Sequence, residues 1–152
     1  MLHRAGYDDV SVFERGARVG GVWHANTYPG AACDVPSHLY EFSFSPNPNW
    51  SRRYAPQAEI QAYVEDVARC RGVLDRIHTN TEVLTARWNS PRNRWLITTS
   101  DGDHEADILI TACGRLSVPK IAQLNGVESF QGPAFHTAEW RHDVEGRHGT
   151  RG

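Results

Sequence analysis

Residues 20–36 have the sequence GGVWHANTYPGAACDVP, and this stretch decides how the 152-residue chain is interpreted. It is rich in Gly, Pro, Asn and Asp and has no apolar periodicity, so it predicts a long loop. Loops of this length in compact domains usually carry a function. Because glycine lacks a Cβ atom, Gly20-Gly21 lets the backbone approach a ligand closely. We therefore expect this glycine-rich loop, residues 20–36, to contact a ligand.

Regular segments are predicted on both sides of the loop. A β-branched and aromatic run at residues 10–14 predicts a strand, and apolar residues at helical spacing in residues 58–71 predict an amphipathic helix. Strand-like runs follow, separated by turn residues, and predict an antiparallel β meander: residues 83–88, 94–99 and 106–113. The last run is almost continuously apolar, which suits a central strand covered on both faces. The sequence thus predicts an α/β fold.

Charge and hydropathy limit the partners. The chain has 16 basic and 18 acidic residues, well mixed, so it shows no broad basic surface for nucleic acid. No run of about 18 apolar residues is present to span a membrane, and we expect a cytoplasmic location. A small molecule is the expected ligand.

Cysteines and histidines give no sign of a metal site. Cys33, Cys70 and Cys113 are odd in number and far apart, which fits neither a disulfide framework nor a CxxC motif. The eight histidines form no HxxxH or HExxH pattern on a predicted helix. We predict no bound metal.

Glu14 stands at the end of the first predicted strand. In dinucleotide-binding folds, an acidic side chain at such a strand end accepts hydrogen bonds from ribose hydroxyls, since a carboxylate offers two acceptors to a diol. Taken alone, it is more often a solvated strand-end residue. Its position beside the glycine-rich loop favours the ligand-binding interpretation.

The loop closely resembles the flavin-contacting loop of the Baeyer-Villiger monooxygenases, class B flavoproteins that also include N-hydroxylating and sulfur-oxidising enzymes. The resemblance continues through His38-Leu39-Tyr40 and the turn Ala112-Cys113-Gly114. It includes FQGPAFHTAEW, where Phe130, Gly132, His136 and Trp140 match the family fingerprint F-x-G-x-x-x-H-x-x-x-W. Many separated motifs together make this resemblance specific.

The resemblance implies a partial Rossmann-like FAD-binding domain at residues 1–119, with the β meander inserted in it. A linker carrying the fingerprint follows at residues 120–144, and residues 145–152 are expected to be a disordered tail. The family's first strand and its G-x-G-x-x-G turn have no counterpart among the 13 glycines. We therefore expect a fragment cut at both ends, inactive alone and weak in binding FAD.

The resemblance also implies roles for single residues. In the family, reduced FAD and NADPH drive insertion of an atom of molecular oxygen beside the carbonyl of a ketone, and the NADPH site lies largely outside this chain. Asp34 matches a catalytic aspartate that lies by the flavin and positions an arginine, also outside this chain. The residues expected to bind the cofactor are Glu14, Gly20, Gly21, Trp23, Tyr28, Asp34, Tyr40, Val83 through its backbone, and Gly114. Of the fingerprint residues, His136 is expected to couple cofactor-domain motion to turnover.

Two alternatives stay open. The family usually has Pro or Asp after the fingerprint tryptophan, whereas this chain has Arg141, which leaves N- or S-oxygenation possible. The resemblance also ends near Val144, so a gene remnant without activity is the second alternative.

Overall fold

The computed structural model describes Leu2 and residues 5–144, and the predicted tail at residues 145–152 lies outside the described residues. In chain order its strands and α-helices are β1 (Val12–Phe13), α1 (Val22–Ala25), α2 (Gln57–Cys70), β2 (Ile77–His78), β3 (Val83–Asn89), β4 (Arg94–Thr99) and β5 (Gly102–Ala106). Three-residue 3₁₀ turns lie at Ser37–Leu39, Leu74–Arg76, Val127–Ser129 and Thr137–Glu139. The predicted α/β class is confirmed.

A short parallel pair forms the first sheet. Val12 of β1 lies opposite Ile77 of β2, and the Glu14 N–H extends the pairing by donating to the His78 carbonyl at 2.9 Å. Parallel strands need a long crossover connection, which the glycine-rich loop and α2 supply. The strand predicted at residues 10–14 is present but shorter, and β2 was not predicted because two residues carry no periodicity.

Helix α2 packs the glycine-rich loop into the core. It lies within one residue of its predicted bounds and ends before Gly72, whose φ of +63° is left-handed. Its Ile60 is 2% exposed and packs with Cys33 of the loop and Ala55, and the side chains of Trp23 and Trp50 cover this cluster. The apolar face of α2 therefore fixes the loop near its start, at Trp23, and near its end, at Cys33.

The second sheet is antiparallel, in the order β3-β4-β5. Trp88 and Trp95 lie opposite each other with ring centroids 5.5 Å apart, and a bulge interrupts β3 after Val83. The sheet approaches the first one where the rings of Phe13 and His104 lie 4.7 Å apart. The predicted meander is thus present, with its first two strands close to their predicted bounds.

The third strand of the meander was placed wrongly by the sequence. The sequence predicted it at residues 106–113, whereas β5 is Gly102–Ala106. Pairing follows directly from the hairpin turn after Thr99, and an edge strand tolerates polar residues that a pattern search rejects. Residues 108–113 join no sheet in the described chain, and Ile108 and Ile110 are 55% and 63% exposed.

Residues 120–144 contain two 3₁₀ turns as their regular structure. The division of the chain into a domain at residues 1–119 and a linker at residues 120–144 stays a prediction. Within the described residues, no helix is both long enough and apolar enough to cross a membrane.

Candidate functional site

The glycine-rich loop begins with a turn of two glycines at positive φ, followed by a single helical turn. Gly20 and Gly21 have φ values of +124° and +54°, which L side chains rarely adopt, and Gly21 caps α1. Asn26 ends α1, because both its N–H and its side-chain amide donate to the Val22 carbonyl at 2.9 Å. The sequence predicted a loop here and missed this turn, which is too short for apolar periodicity.

The two glycines have different surroundings. A Cβ atom on Gly20 would lie 2.0 Å from Oε1 of Gln61, whereas a Cβ on Gly21 would meet no atom within 4 Å. Gly114, at φ +72°, is open in the same way. Gly21 and Gly114 therefore leave their backbone accessible to a ligand, and the space beside Gly20 is filled by the protein itself.

Trp23 and Tyr40 form an aromatic pair beside this turn. The indole Nε1–H of Trp23 donates to the Tyr40 hydroxyl at 3.1 Å, and the two rings meet edge to face with centroids 5.6 Å apart. Tyr40 is 42% exposed, so the pair presents apolar surface and a phenol group outward. The structure thus brings together two residues that the sequence assigned to the same cofactor.

The end of the loop is pinned on both sides of Asp34. The Cys33 N–H donates to the Ala55 carbonyl at 2.9 Å, and the buried Ser37 hydroxyl accepts from the Ala55 N–H at 2.8 Å. Asp34 itself is exposed, and its carboxylate has no hydrogen bond or ion pair within the described chain. A fixed backbone therefore holds an unpaired carboxylate at the surface, where a positively charged partner can reach it.

Glu14 and Val83 lie near the junction of the two sheets. Glu14 is half-buried, and its Oε1 accepts from the Gly16 N–H at 2.6 Å, while its second oxygen has no hydrogen bond within the described residues. The Glu14 carbonyl accepts from the Thr81 N–H at 2.9 Å, two residues before Val83. One carboxylate oxygen of Glu14 remains available to a ligand hydroxyl.

An ion pair fixes the entry to the loop. Nη2 of Arg18 lies 2.7 Å from Oε1 of Glu65 on α2, and Nε2 of Gln61 donates to the same oxygen at 2.8 Å. The hydrogen bond from Gln61 and, after it, the Arg18 pair lower the pKa of Glu65, against an opposing effect of burial. The ionised form of Glu65 is therefore the one that the folded chain stabilises.

This shift predicts a loss of stability in acid. Because the pKa of Glu65 is lower in the folded than in the unfolded chain, its contribution is present above the ordinary value of about 4.3 and is lost as pH falls through the folded value. We expect the melting temperature to fall less between pH 5 and pH 3 in Glu65→Gln than in the wild type. The control is Glu128→Gln at an exposed site. Parallel curves for wild type and Glu65→Gln would contradict this prediction.

The fingerprint residues make local contacts in the linker. The Phe130 ring lies over Gly132, where an added Cβ would be 2.5 Å from the Phe130 Cζ atom. Nδ1 of His136 accepts from the Ala138 N–H at 3.1 Å and caps the 3₁₀ turn that follows. The glycine of F-x-G therefore makes room for the phenylalanine ring, and the histidine stabilises the 3₁₀ turn.

The linker also docks on the glycine-rich loop. The Trp140 ring lies 6.5 Å from the Tyr28 ring, centroid to centroid, and packs edge to face on Phe135 at 5.1 Å. Nε2 of His142 lies 2.8 Å from the Thr27 hydroxyl. The structure thus joins one predicted cofactor residue to the fingerprint tryptophan, across more than a hundred residues.

Sequence reasoning missed three side chains that shape this site: Gln57, Gln61 and His142. The two glutamines are polar residues of α2 that contact the loop, and a search for an apolar face passes over them. No local pattern marked His142. Within residues 5–144, no three His, Cys, Asp or Glu side chains are grouped to hold a metal ion.

A strand-loop-helix crossover with open glycines, an acidic strand end and exposed aromatic side chains defines a segment of the nucleotide-binding α/β class. The family model of the NAD(P)-binding Rossmann-like domain matches residues 1–56. The comparisons with individual proteins narrow this class to monooxygenases.

Three proteins illustrate the similarity. The chain is 45% identical over 144 residues to a Baeyer-Villiger monooxygenase of Streptomyces coelicolor, covering 95% of this chain and 28% of the relative. It is 45% identical over 139 residues to the FAD-binding monooxygenase BOA2 of Botryotinia fuckeliana, covering 88% of this chain and 26% of that protein. Among solved structures, an oxidized steroid monooxygenase bound to NADP is 40% identical with a TM-score of 0.79, over 94% of this chain and 29% of that one.

The chain is related in sequence and fold to one segment of the Baeyer-Villiger monooxygenases, which confirms the resemblance found in its motifs. It spans a little over a quarter of the length of these relatives. The activity of the whole protein is therefore a matter for proposal.

Proposed function

We propose that this chain supplies the flavin-side segment of an FAD- and NADPH-dependent monooxygenase that inserts oxygen into ketones to give esters or lactones. The observation that carries the proposal is the open Gly21 turn beside the pair of half-buried Trp23 and exposed Tyr40, in a chain 45% identical to a Baeyer-Villiger monooxygenase. Activity needs the remaining length of such an enzyme, and the segment alone is inactive.

The residues of the loop fit FAD as a ligand. The side of Gly21 where a Cβ would lie has no atom within 4 Å, so a flat ring approaches the backbone there without a clash. Trp23 and Tyr40 supply rigid aromatic surface with a phenol group for hydrogen bonding. When bound, FAD supplies the redox chemistry that activates oxygen, and the protein orients it and excludes water.

Two carboxylates act at different ends of the cofactor. The free oxygen of Glu14 accepts hydrogen bonds from ribose hydroxyls, as strand-end acidic residues do in this fold class. Asp34 would hold an arginine from outside this chain in place beside the flavin, where the positive charge would stabilise negative charge that develops on oxygen. The backbone of Val83 contributes to adenine binding, and Gly114 leaves room for the cofactor.

The linker transmits motion between the cofactor-binding parts. Its contacts with the loop include Trp140 with Tyr28 and His142 with Thr27, so a movement of the linker is felt at the loop. Arg141 pairs bidentately with Asp143. The intact fingerprint around His136 is what favours ketone oxidation over N- or S-oxygenation. The substrates are a small ketone and molecular oxygen, and the location is cytoplasmic.

The test is a hybrid enzyme in which the 144 aligned residues of this chain replace those of the Streptomyces coelicolor relative. We expect the hybrid to bind FAD, to oxidise NADPH, and to convert ketones to esters or lactones detected by gas chromatography. The unmodified relative is the positive control. A folded hybrid that binds FAD but oxidises only amines or sulfides would favour the alternative reaction. A folded hybrid without bound FAD would contradict the proposal.

A further inference from the structure

Three side chains of α2 bind the entry of the glycine-rich loop. Gln57, Gln61 and Glu65 are spaced four residues apart and therefore lie on one face of the helix. The Gln57 side-chain amide donates to the Trp23 carbonyl, that of Gln61 donates to the Val19 carbonyl at 2.7 Å, and Glu65 pairs with Arg18. Successive turns of α2 thus hold residues 18–23, the segment that contains the two glycines.

The orientation of Gln61 is fixed by its partners. Its Nε2 donates both to the Val19 carbonyl and to Oε1 of Glu65, and both are acceptors, so the amide cannot be turned round. Gln61 is 8% exposed, and its Oε1 has no hydrogen bond within the described chain. This buried oxygen faces Gly20.

The Gln61 side chain lies so close to Gly20 that no side chain larger than a hydrogen atom fits at position 20. A Cβ on Gly20 would lie 2.0 Å from Oε1, 2.7 Å from Cδ and 2.8 Å from Nε2 of Gln61. A Cβ on Gly21 would point into open space. The two glycines therefore have different roles. Gly20 makes room for the Gln61 side chain, and Gly21 leaves open space for a ligand.

We propose that Gln61 is a positioning residue that sets the backbone of the Gly20-Gly21 turn by seating its amide against Gly20. It orients the open side of Gly21, and Trp23 beyond it, toward the cofactor without touching the cofactor. This inference rests on the proposed function, which names FAD as the ligand. The contact between Gln61 and Gly20 is measurable without FAD.

The first test is a double-mutant cycle on the 152-residue chain, measured by thermal unfolding. Gly20→Ala lowers the melting temperature strongly in the wild-type background, because the new methyl group collides with Gln61. In the Gln61→Ala background the cost of Gly20→Ala is smaller by about 2 to 6 °C, since the methyl enters the vacated space. Gly30→Ala is the matched control, because Gly30 has φ +80° and open surroundings. Its cost is the same in both backgrounds. Additive effects of Gly20→Ala and Gln61→Ala overturn the proposal.

If a variant shows no cooperative thermal unfolding, a second measurement tests the contact between Gln61 and Gly20. In the wild type, the side-chain amide protons of Gln61 exchange with solvent more slowly than those of the exposed Gln123, as seen by NMR. Gly20→Ala raises the exchange rate of Gln61 to that of Gln123, and Gly30→Ala does not. Equal exchange of the two glutamines in the wild type overturns the proposal.

FAD titration of the hybrid enzyme carrying the same substitutions, followed by flavin fluorescence, separates positioning from plain stability. Gln61→Ala weakens FAD binding by about tenfold at a temperature where the chain stays folded, and Gln123→Ala leaves it unchanged. Coupling between Gly20 and Gln61 with unchanged FAD affinity shows a purely structural contact and overturns the positioning role. If the hybrid enzyme without these substitutions binds no FAD, the result counts against the proposed function, and the cycle and the exchange rates decide whether Gln61 sets the turn.

Discussion

Replacing Asp34 with alanine in the hybrid enzyme should lower ketone oxygenation by about tenfold to a hundredfold while NADPH oxidation continues without product. Asp34 is an exposed carboxylate on a backbone pinned by Cys33 and Ser37, so its position does not depend on its own side chain. Removing the charge leaves the partner arginine unheld, and a misplaced cation stabilises developing negative charge poorly. The defect therefore appears in oxygen transfer and spares folding.

The measurement is the ratio of ester formed to NADPH consumed, with hydrogen peroxide assayed as the uncoupled product. Asp34→Asn keeps the size of the side chain without its charge, and we expect it to behave like the alanine variant. Asp103→Ala removes an exposed carboxylate from β5 and is the control, with an unchanged ratio. If Asp34→Ala kept the wild-type ratio, the role assigned to Asp34 would be wrong.

Elements with a long repeating pattern could be predicted from the sequence. Helix α2 has fourteen residues with an apolar face, and β3 and β4 are runs of seven and six strand-forming residues bounded by turn residues, so each was placed within about one residue. Helix α1 and strands β1 and β2 have only two to four residues, fewer than a pattern needs. Their structure comes from tertiary contacts, such as the pairing of Val12 with Ile77.

The error at residues 106–113 has a different cause. An apolar run indicates that a segment prefers burial, but it does not supply the neighbouring strand that burial requires. In the described chain β1 pairs with β2, and Ile108 and Ile110 stay exposed. The polar run at β5 pairs because the hairpin delivers it beside β4, and register in a hairpin follows from the turn.

The sequence predicted residues of the candidate site, but it did not predict the residues that hold them in place. Motif resemblance identified Gly21, Trp23 and Asp34 as single residues, and the structure adds the contacts that hold them. Gln61 could not be found by pattern, because its partners Val19 and Gly20 lie about forty residues away in the chain. A long-range polar contact carries no local signal, and the same holds for His142 on Thr27.

Gly21→Val should weaken FAD binding to the hybrid enzyme by about tenfold to a hundredfold, equivalent to about 1.4 to 2.8 kcal/mol. Valine at φ +54° is strained by about 1 to 3 kcal/mol whatever surrounds it, because a β-branched side chain collides with its own backbone there. Its isopropyl group also enters the open space that we assign to the flavin. The first effect lowers stability, and the second lowers affinity.

Gly72→Val separates these two effects. Gly72 follows α2 with φ +63° and no atom within 4 Å of a Cβ position, so valine there meets similar strain away from the glycine-rich loop. We expect both variants to lose a similar amount of melting temperature, and only Gly21→Val to lose FAD affinity in a flavin fluorescence titration. Equal affinity in the two variants would show that the open side of Gly21 does not face the cofactor. The flavin would then be bound by the aromatic pair of Trp23 and Tyr40 instead of this turn, and Tyr40→Phe would test the phenol directly.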